Sequence, residues 1–150
     1  MTYRQLSTTD TVALAALLAA EPAVASYAVH ANEVLGNAGY EVWGHFVEDV
    51  LAGTVVIALG PFDAEVDSIV VADAYRRRGV GRALMTQAVT RARMLGKEKV
   101  LLEVREGNAA AIALYQQMGF GIDGTRANYY AALKGQGPRE AACLMSYRMY

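Results

Sequence analysis

The chain has 150 residues, of which 54% are hydrophobic and 19% charged, and its net charge is −1. Such a composition excludes a disordered chain, and the length fits one compact domain over residues 1–150. The near-zero charge gives no electrostatic basis for binding nucleic acid, and the single cysteine, Cys143, excludes an internal disulfide and a cysteine-rich zinc site.

The first half of the chain predicts two helices within a set of strands. Residues Thr2 to Leu6 alternate as in a short strand, and Ser7 to Asp10 offer N-caps for a helix that should end near Pro22. That helix contains the longest apolar run, which at nine residues is shorter than the about 20 that a membrane span needs. With no basic segment followed by an apolar one at the N-terminus, we expect a cytoplasmic protein without a membrane partner. A second short helix is predicted within residues 23–38.

Three strands of an antiparallel meander follow. Residues Tyr40 to Val47, Leu51 to Leu59 and Glu65 to Val71 are rich in β-branched and aromatic side chains. Turns are predicted between them at Glu48-Asp49 and at Gly60 to Asp63.

The second half alternates helices and strands. Apolar residues recur at every fourth position from Val80 to Ala92, which predicts a helix that Gly96 closes. Residues Lys99 to Arg105 predict a strand, and Asn108 should cap the next helix. Two further strands are predicted near residues 121–130 and 141–150. The fold class is therefore α/β (α+β), a mixed, mostly antiparallel sheet of six to seven strands with about four helices.

The turn between Val71 and the predicted helix that begins at Val80 has the composition of an anion site. Gly79 and Gly81 allow close backbone approach to a phosphate, and the helix N-terminus adds unpaired N–H groups and partial positive charge. Six arginines lie from Arg76 to Arg93, and those beside the glycines can form charge-assisted phosphate contacts. A P-loop would need a Lys-Ser/Thr pair after Gly81, and this pair is absent. A dinucleotide-binding fingerprint would need a third glycine, which is also absent. A solvated arginine run at a glycine-rich helix start remains the alternative.

The motif Arg76-x-x-Gly79-x-Gly81 resembles the acyl-CoA signature of the GNAT superfamily, and the order of elements is similar to that fold. The downstream segments resemble RimI-like ribosomal-protein-alanine N-acetyltransferases within that superfamily. These segments are Leu102-Glu103-Val104-Arg105, Asn108 to Tyr115, Gly119-Phe120, Arg126, Asn128-Tyr129-Tyr130 and Glu140-Ala141-Ala142.

The resemblance implies acetyl-CoA as acetyl-donor substrate, an amine acceptor such as a protein N-terminus, and a role for each matching residue. The pantetheine arm would lie along Ile69, Val70 and Val71. The pyrophosphate would bind at Arg77, Arg78, Gly79, Val80, Gly81 and Arg82, and Asn108 would contact the cofactor beyond the thioester. Glu103 would be the general base and Tyr115 the general acid.

The sequence departs from the family at three places. Pro22-Ala23-Val24 replaces a Pro-Trp-Ser-like segment, Asp73-Ala74-Tyr75 replaces Pro-x-Tyr, and Lys134 to Arg139 lengthen the last hairpin. The first and third places are where the family sets acceptor specificity, so a small amine or a lysine side chain stays an alternative acceptor, and a non-catalytic acyl-CoA-binding module an alternative function.

Each catalytic residue also has an ordinary interpretation. On its strand Glu103 points away from the apolar face. A solvated glutamate, or one paired with Arg105, is equally compatible with that position. Tyr115 shares its helix face with apolar residues, as a core tyrosine does. Tyr129 and Tyr130 could line an acceptor groove or pack on the sheet.

Cys143 has no nearby histidine to activate it, so we do not expect a thiol nucleophile. The histidines and carboxylates lack metal-ligand spacing, so we do not expect a metal site.

Overall fold

The computed structural model describes residues 2–21, 25–131 and 137–150. The predicted segment Pro22-Ala23-Val24 and the hairpin residues 132–136, which include Lys134, lie outside them. Seven strands are present: β1 (Thr2–Gln5), β2 (Tyr40–Val47), β3 (Val50–Leu59), β4 (Asp63–Val71), β5 (Lys99–Arg105), β6 (Gly121–Tyr130) and β7 (Glu140–Arg148). Four α-helices accompany them: α1 (Thr11–Ala19), α2 (Ala31–Leu35), α3 (Val80–Met94) and α4 (Ala109–Gln117).

The strands form a single sheet in the order β1-β2-β3-β4-β5-β7-β6. Every neighbouring pair is antiparallel except β4 and β5, which run parallel across the crossover helix α3. The mixed, mostly antiparallel sheet of seven strands with four helices confirms the predicted fold class. The bounds of β5 and β6 also agree with the prediction, because alternation of side chains along a strand is a local signal.

The two faces of the sheet carry different helices. On one face, α3 inserts an apolar stripe that includes Leu84, Met85 and Ala88 against strand residues such as Val55 and Val100. The predicted four-residue spacing identified most of this stripe, although Leu95 beyond the helix end is exposed. On the opposite face, α1 and α2 cover β2 and β3. This second face continues across β5 and β7, where a cavity opens.

A polar cluster ties the C-terminal part of α3 to β2. Arg91 donates two hydrogen bonds of 2.8 Å to the carboxylate of Glu41, which also accepts one of 2.8 Å from Trp43 Nε1. Trp43 stacks on Tyr3 with ring centroids 5.2 Å apart. Hydrogen bonding from Arg91 holds the pKa of Glu41 below its usual range, despite burial that acts in the opposite direction.

Replacing Glu41 by Gln is expected to destabilise the fold by about 2 kcal/mol at pH 7, because the hydrogen bonds to a charged acceptor are weakened. The folded-state pKa of Glu41 is lowered, so this stabilisation is present above the unfolded-state pKa and is lost as the pH falls through the folded-state value. Urea unfolding of wild type and variant at pH 7 and pH 3 should show the difference at pH 7 and a smaller one at pH 3. An equal difference at both pH values would contradict this account of Glu41.

Candidate active site

A gap opens in the sheet between β4 and β5. The parallel pairing of these strands runs from Asp63 opposite Lys99 to Val66 opposite Leu102 and goes no further among the described residues. On β4 the pairing ends beside a bulge, because Val66 and Ser68 face consecutive residues of β3 while Asp67 is extra. Beyond that point β4 continues to Val71 with a partner on the β3 side alone.

The backbone of β4 presents hydrogen-bonding groups to this gap. The N–H of Ala72 donates to the carbonyl of Ala52 on β3 at 2.8 Å, and hydrogen-bonded pairs alternate along an antiparallel ladder. The N–H and C=O of Val70 therefore point to β3, whereas those of Ile69 and Val71 point to the side where β5 has diverged. An extended ligand with amide groups, such as a pantetheine arm, could pair with Ile69 and Val71 as an added strand does. Val70 is buried and offers this edge no backbone group.

The predicted anion turn lies directly after β4 and begins α3. Gly79 has a left-handed conformation (φ 79°) as the N-cap residue, and the first hydrogen bond of the helix runs from Ala83 N to Gly79 O at 3.0 Å. The N–H groups of Val80, Gly81 and Arg82 consequently have no partner within the helix, as an anion site requires. A Cβ built on Gly81 would meet Val71 Cγ2 at 3.8 Å as its nearest neighbour, so this side of the turn is open.

The arginines of the turn divide into two groups. Arg76 is a structural brace: its Nε donates to the Val71 carbonyl at 3.3 Å, and its guanidinium pairs with Glu21 and, at 3.4 Å, with Asp73. The other three are exposed, and among the described residues no carboxylate lies within 4.0 Å of their charged nitrogens. They are Arg77, Arg78 and Arg82.

Glu103 lies at the mouth of the gap. It directly follows Leu102, the last residue of β5 that pairs with β4. Its side chain points away from the α3 face, as predicted, into a cavity of about 260 Å³ that Glu65, Leu101 and Arg126 also line. Of the ordinary alternatives, pairing with Arg105 is not observed: Glu103 pairs with Arg126 at 3.3 Å, whereas Arg105 pairs with Glu140 at 3.2 Å.

Negative charge accumulates at this cavity. Burial raises the pKa of Glu65, and the charges of Glu103 and Asp67 raise it further, against a lowering effect of Arg126. Burial and then the charge of Glu103 also raise the pKa of Asp67. Such a surface attracts a cation, and a protonated amine is one.

Tyr115 lies on the other side of β5. It is 8% exposed and packs beside Val104 in the core under α3, with its ring 6.0 Å from that of Phe120. Because Val104 and Glu103 are neighbours on a strand, Tyr115 and Glu103 approach β5 from opposite faces. Burial raises the pKa of Tyr115, which keeps its hydroxyl protonated at neutral pH.

Asn108 is the N-cap of α4, as predicted, and its Oδ1 accepts from Ala111 N at 3.2 Å. The preceding turn is fixed by Glu140, whose Oε2 accepts from Gly107 N at 2.8 Å. Sequence reasoning noted Glu140 only within a matching segment, since a contact between β7 and this turn leaves no local signal. Asn108 is exposed, so its amide N–H groups are accessible to a ligand at this end of the helix.

Comparison with known proteins identifies the family. Residues 11–120 match the family described as "Acetyltransferase (GNAT) family". The chain belongs to this family. GNAT acetyltransferases use acetyl-CoA as the acetyl donor. The open edge of β4 and the anion turn are a fitting pair of sites for the pantetheine arm and the pyrophosphate of that molecule.

Two curated relatives are similar to part of the chain. The "[Ribosomal protein bS18]-alanine N-acetyltransferase" of Escherichia coli is 40% identical over 84 residues, which are 56% of this chain and 55% of the relative. The "N-alpha-acetyltransferase RimI" of Mycobacterium tuberculosis is 40% identical over 94 residues, which are 57% of this chain and 58% of the relative. The chain thus spans little more than half the length of these relatives.

Solved structures are similar over nearly the whole chain. The crystal structure of the Escherichia coli ribosomal-protein-S18-alanine N-acetyltransferase superposes with a TM-score of 0.85 at 28% identity, covering 99% of this chain and 93% of the other. A Bacillus subtilis acetyltransferase solved in complex with CoA has a TM-score of 0.78 at 21% identity, covering 99% and 98%. The second likeness shows the GNAT fold alone.

Two features are absent from the residues that the structure describes. No group of three or more His, Cys, Asp or Glu side chains has a geometry suited to a metal ion among them. None of the helices in that part of the chain is both long and apolar enough to cross a membrane.

Proposed function

We propose that this chain transfers the acetyl group of acetyl-CoA to the N-terminal α-amine of a protein, with the alanine of a ribosomal protein as the favoured acceptor. The observation that carries the proposal is the gap between β4 and β5, where the free edge of Ile69 and Val71 adjoins the N-terminus of α3 on one side and Glu103 on the other. The names of the Escherichia coli and Mycobacterium tuberculosis relatives support this acceptor.

The proposed binding of acetyl-CoA uses the open edge of β4, where the Val71 carbonyl also accepts from Arg76, and the start of α3. The backbone of Ile69 and Val71 would pair with the amides of the pantetheine arm. The N–H groups of the first turn of α3 and the exposed arginines would hold the pyrophosphate. Asn108 would contact the arm from the N-terminus of α4. The acetyl thioester would then lie where β4 and β5 diverge.

The proposed reaction is a direct attack without an acyl-enzyme. An ammonium ion cannot attack, so Glu103 removes a proton from the acceptor, and the free nitrogen adds to the thioester carbonyl carbon. The C–N bond forms, the C–S bond breaks, and the departing thiolate takes a proton from Tyr115. The second proton lost by the nitrogen restores the tyrosine hydroxyl through solvent, and Glu103 releases the first proton to solvent.

The pKa of the acceptor amine favours an N-terminal α-amine over a lysine side chain. An α-amino group has an ordinary pKa of about 8 and a lysine side chain about 10.4. At neutral pH, removing the proton from lysine therefore costs about 3 kcal/mol more.

Mass spectrometry of acetyl transfer tests the acceptor. The enzyme is given isotope-labelled acetyl-CoA with a peptide that has a free N-terminal alanine and an internal lysine, with the same peptide blocked at its N-terminus, and with a small amine. We expect label at the α-amine of the first peptide alone. Transfer confined to small amines or to lysine would overturn the proposed acceptor, and no transfer to any amine would favour an acyl-CoA-binding module.

Tyr115→Phe tests the proposed acid. The thiolate would leave without a proton donor, so we expect kcat to fall on the order of 10²-fold while the KM for acetyl-CoA stays unchanged. Tyr147→Phe is the matched control, because the Tyr147 ring packs on Phe120 as well, 5.6 Å away, and is not placed in the reaction. Unchanged turnover of Tyr115→Phe would leave Tyr115 as a core residue.

A further inference from the structure

We propose that Arg126 is a positioning residue, whose guanidinium, stacked on Tyr129, fixes the carboxylate of Glu103 and balances the negative charge around it. The inference rests on the proposed role of Glu103 as general base. Arg126 lies on β6, the edge strand of the sheet, and approaches Glu103 of β5 across β7.

The contacts of Arg126 join three side chains. Its Nη2 lies 3.3 Å from Glu103 Oε1, and its Cζ lies 4.9 Å from the centroid of the Tyr129 ring. Hydrogen bonding to Glu103 is also the main cause that raises the pKa of Tyr129. The Glu103 side chain is 18% exposed and that of Arg126 is 53% exposed, so the carboxylate is the more enclosed partner. Glu103 thus forms its ion pair with a side chain of β6 that is itself stacked on an aromatic ring.

Arg126 reaches Glu103 diagonally across β7, because Arg126 is opposite Ala142 whereas Glu103 is opposite Leu144. β7 separates β5 from β6, and Ala142 of β7 pairs with Arg105 on one side and with Arg126 on the other. Strands lie about 4.8 Å apart, so Arg126 must span two such spacings to meet Glu103. Ala142 is fully buried, and Leu144 lines the same cavity as Glu103 and Arg126.

A bulge in β6 brings Tyr129 to the same place. Between the pairs Arg126–Ala142 and Tyr130–Glu140, β6 has three residues where β7 has one. Asn128 within this segment has a left-handed backbone conformation (φ 55°), which few non-glycine residues adopt. Bulges commonly redirect a side chain next to a functional site, and this one directs Tyr129 to Glu103.

The charges around Glu103 need a compensating cation. On β4, Glu65 and Asp67 act on it as like charges, and Asp123 of β6 lines the same cavity. Tyr130, also on β6, feels the charge of Glu103 as well. Arg105, the neighbouring cation on β5, is engaged by Glu140 and by the carbonyl of Ala131 at 3.0 Å. Arg126 is therefore placed to offset the repulsion at Glu103.

An exposed ion pair that serves the fold alone contributes little to stability and has no effect on how activity depends on pH. A positioning role predicts a different outcome. Without the guanidinium, the nearby carboxylates favour protonation of Glu103, so the base is lost at a higher pH.

The test is the pH profile of kcat/KM for the peptide acceptor from pH 5 to pH 8, measured for wild type, Arg126→Gln, Arg126→Lys and Glu103→Gln. The titration of the acceptor amine is common to all four proteins. We expect the lower break of the profile to move up by about one pH unit in Arg126→Gln. Arg126→Lys should recover at least half of that shift, and calorimetry should show unchanged acetyl-CoA affinity in both Arg126 variants.

The outcomes separate the two proposals. A profile of Arg126→Gln that superposes on wild type, or an equal shift in the Gln and Lys variants, overturns the role of Arg126 if Glu103→Gln is impaired. Full turnover by Glu103→Gln overturns instead the proposed role of Glu103. Circular dichroism at pH 5 shows whether each variant is folded over the range used.

Discussion

Glu103→Gln is expected to lower kcat by about 10²-fold or more at pH 7, the typical contribution of a general base. The amide is nearly isosteric with the carboxylate, but it cannot take the proton of the acceptor. The KM for acetyl-CoA should be unchanged, because Glu103 belongs to the acceptor side of the gap. Steady-state kinetics with the peptide acceptor measure both constants.

Glu98→Gln is the matched control for this variant. Glu98 is exposed, directly precedes β5, and carries the same carboxylate outside the cavity. Its replacement should leave kcat unchanged. At pH 9 the α-amine of the acceptor is already mostly neutral, so it no longer needs a base to remove its first proton. The loss of kcat in Glu103→Gln should therefore be smaller at pH 9 than at pH 7. A loss that is equal at pH 7 and pH 9 would count against proton removal as the role of Glu103.

Gly81→Glu is expected to weaken acetyl-CoA binding by at least about 10²-fold, because a carboxylate at the N-terminus of α3 would occupy and repel the pyrophosphate site. The fold should tolerate it, since the Cβ position at Gly81 meets only Val71, at 3.8 Å. Isothermal calorimetry of wild type and variant with acetyl-CoA measures the change.

Gly121→Glu is the matched control for Gly81→Glu. It makes the same substitution at a glycine of β6 where a Cβ has nothing within 4 Å, and it adds the same charge away from the turn. It should bind acetyl-CoA as wild type does. If both variants lost affinity equally, the loss would reflect net charge rather than the anion turn.

The parts of the site that the sequence predicted depend on local signals. Strand alternation placed Glu103 opposite to the apolar face of β5, and the four-residue apolar spacing from Val80 predicted α3. The N-cap role of Asn108 followed from residue type and position. Each of these features involves contacts within a few residues along the chain.

The parts that the sequence did not predict depend on strand order. The strand order places β7 between β5 and β6, and Arg126 meets Glu103 across β7; no periodicity encodes that order. The same holds for Glu21, which pairs with Arg76 across 55 positions. The family motif suggested Arg76 as part of the anion turn, whereas its contacts with Val71 and Glu21 make it a brace of the turn.

The central claim is that acetyl-CoA lies in the gap between β4 and β5, and a crystal structure of this chain with acetyl-CoA tests it most directly. We predict the pantetheine amides hydrogen-bonded to the backbone of Ile69 and Val71, the pyrophosphate at the N–H groups of residues 80–82, and the thioester between Glu103 and Tyr115. Acetyl-CoA bound elsewhere, or with its pyrophosphate away from this turn, would contradict the account.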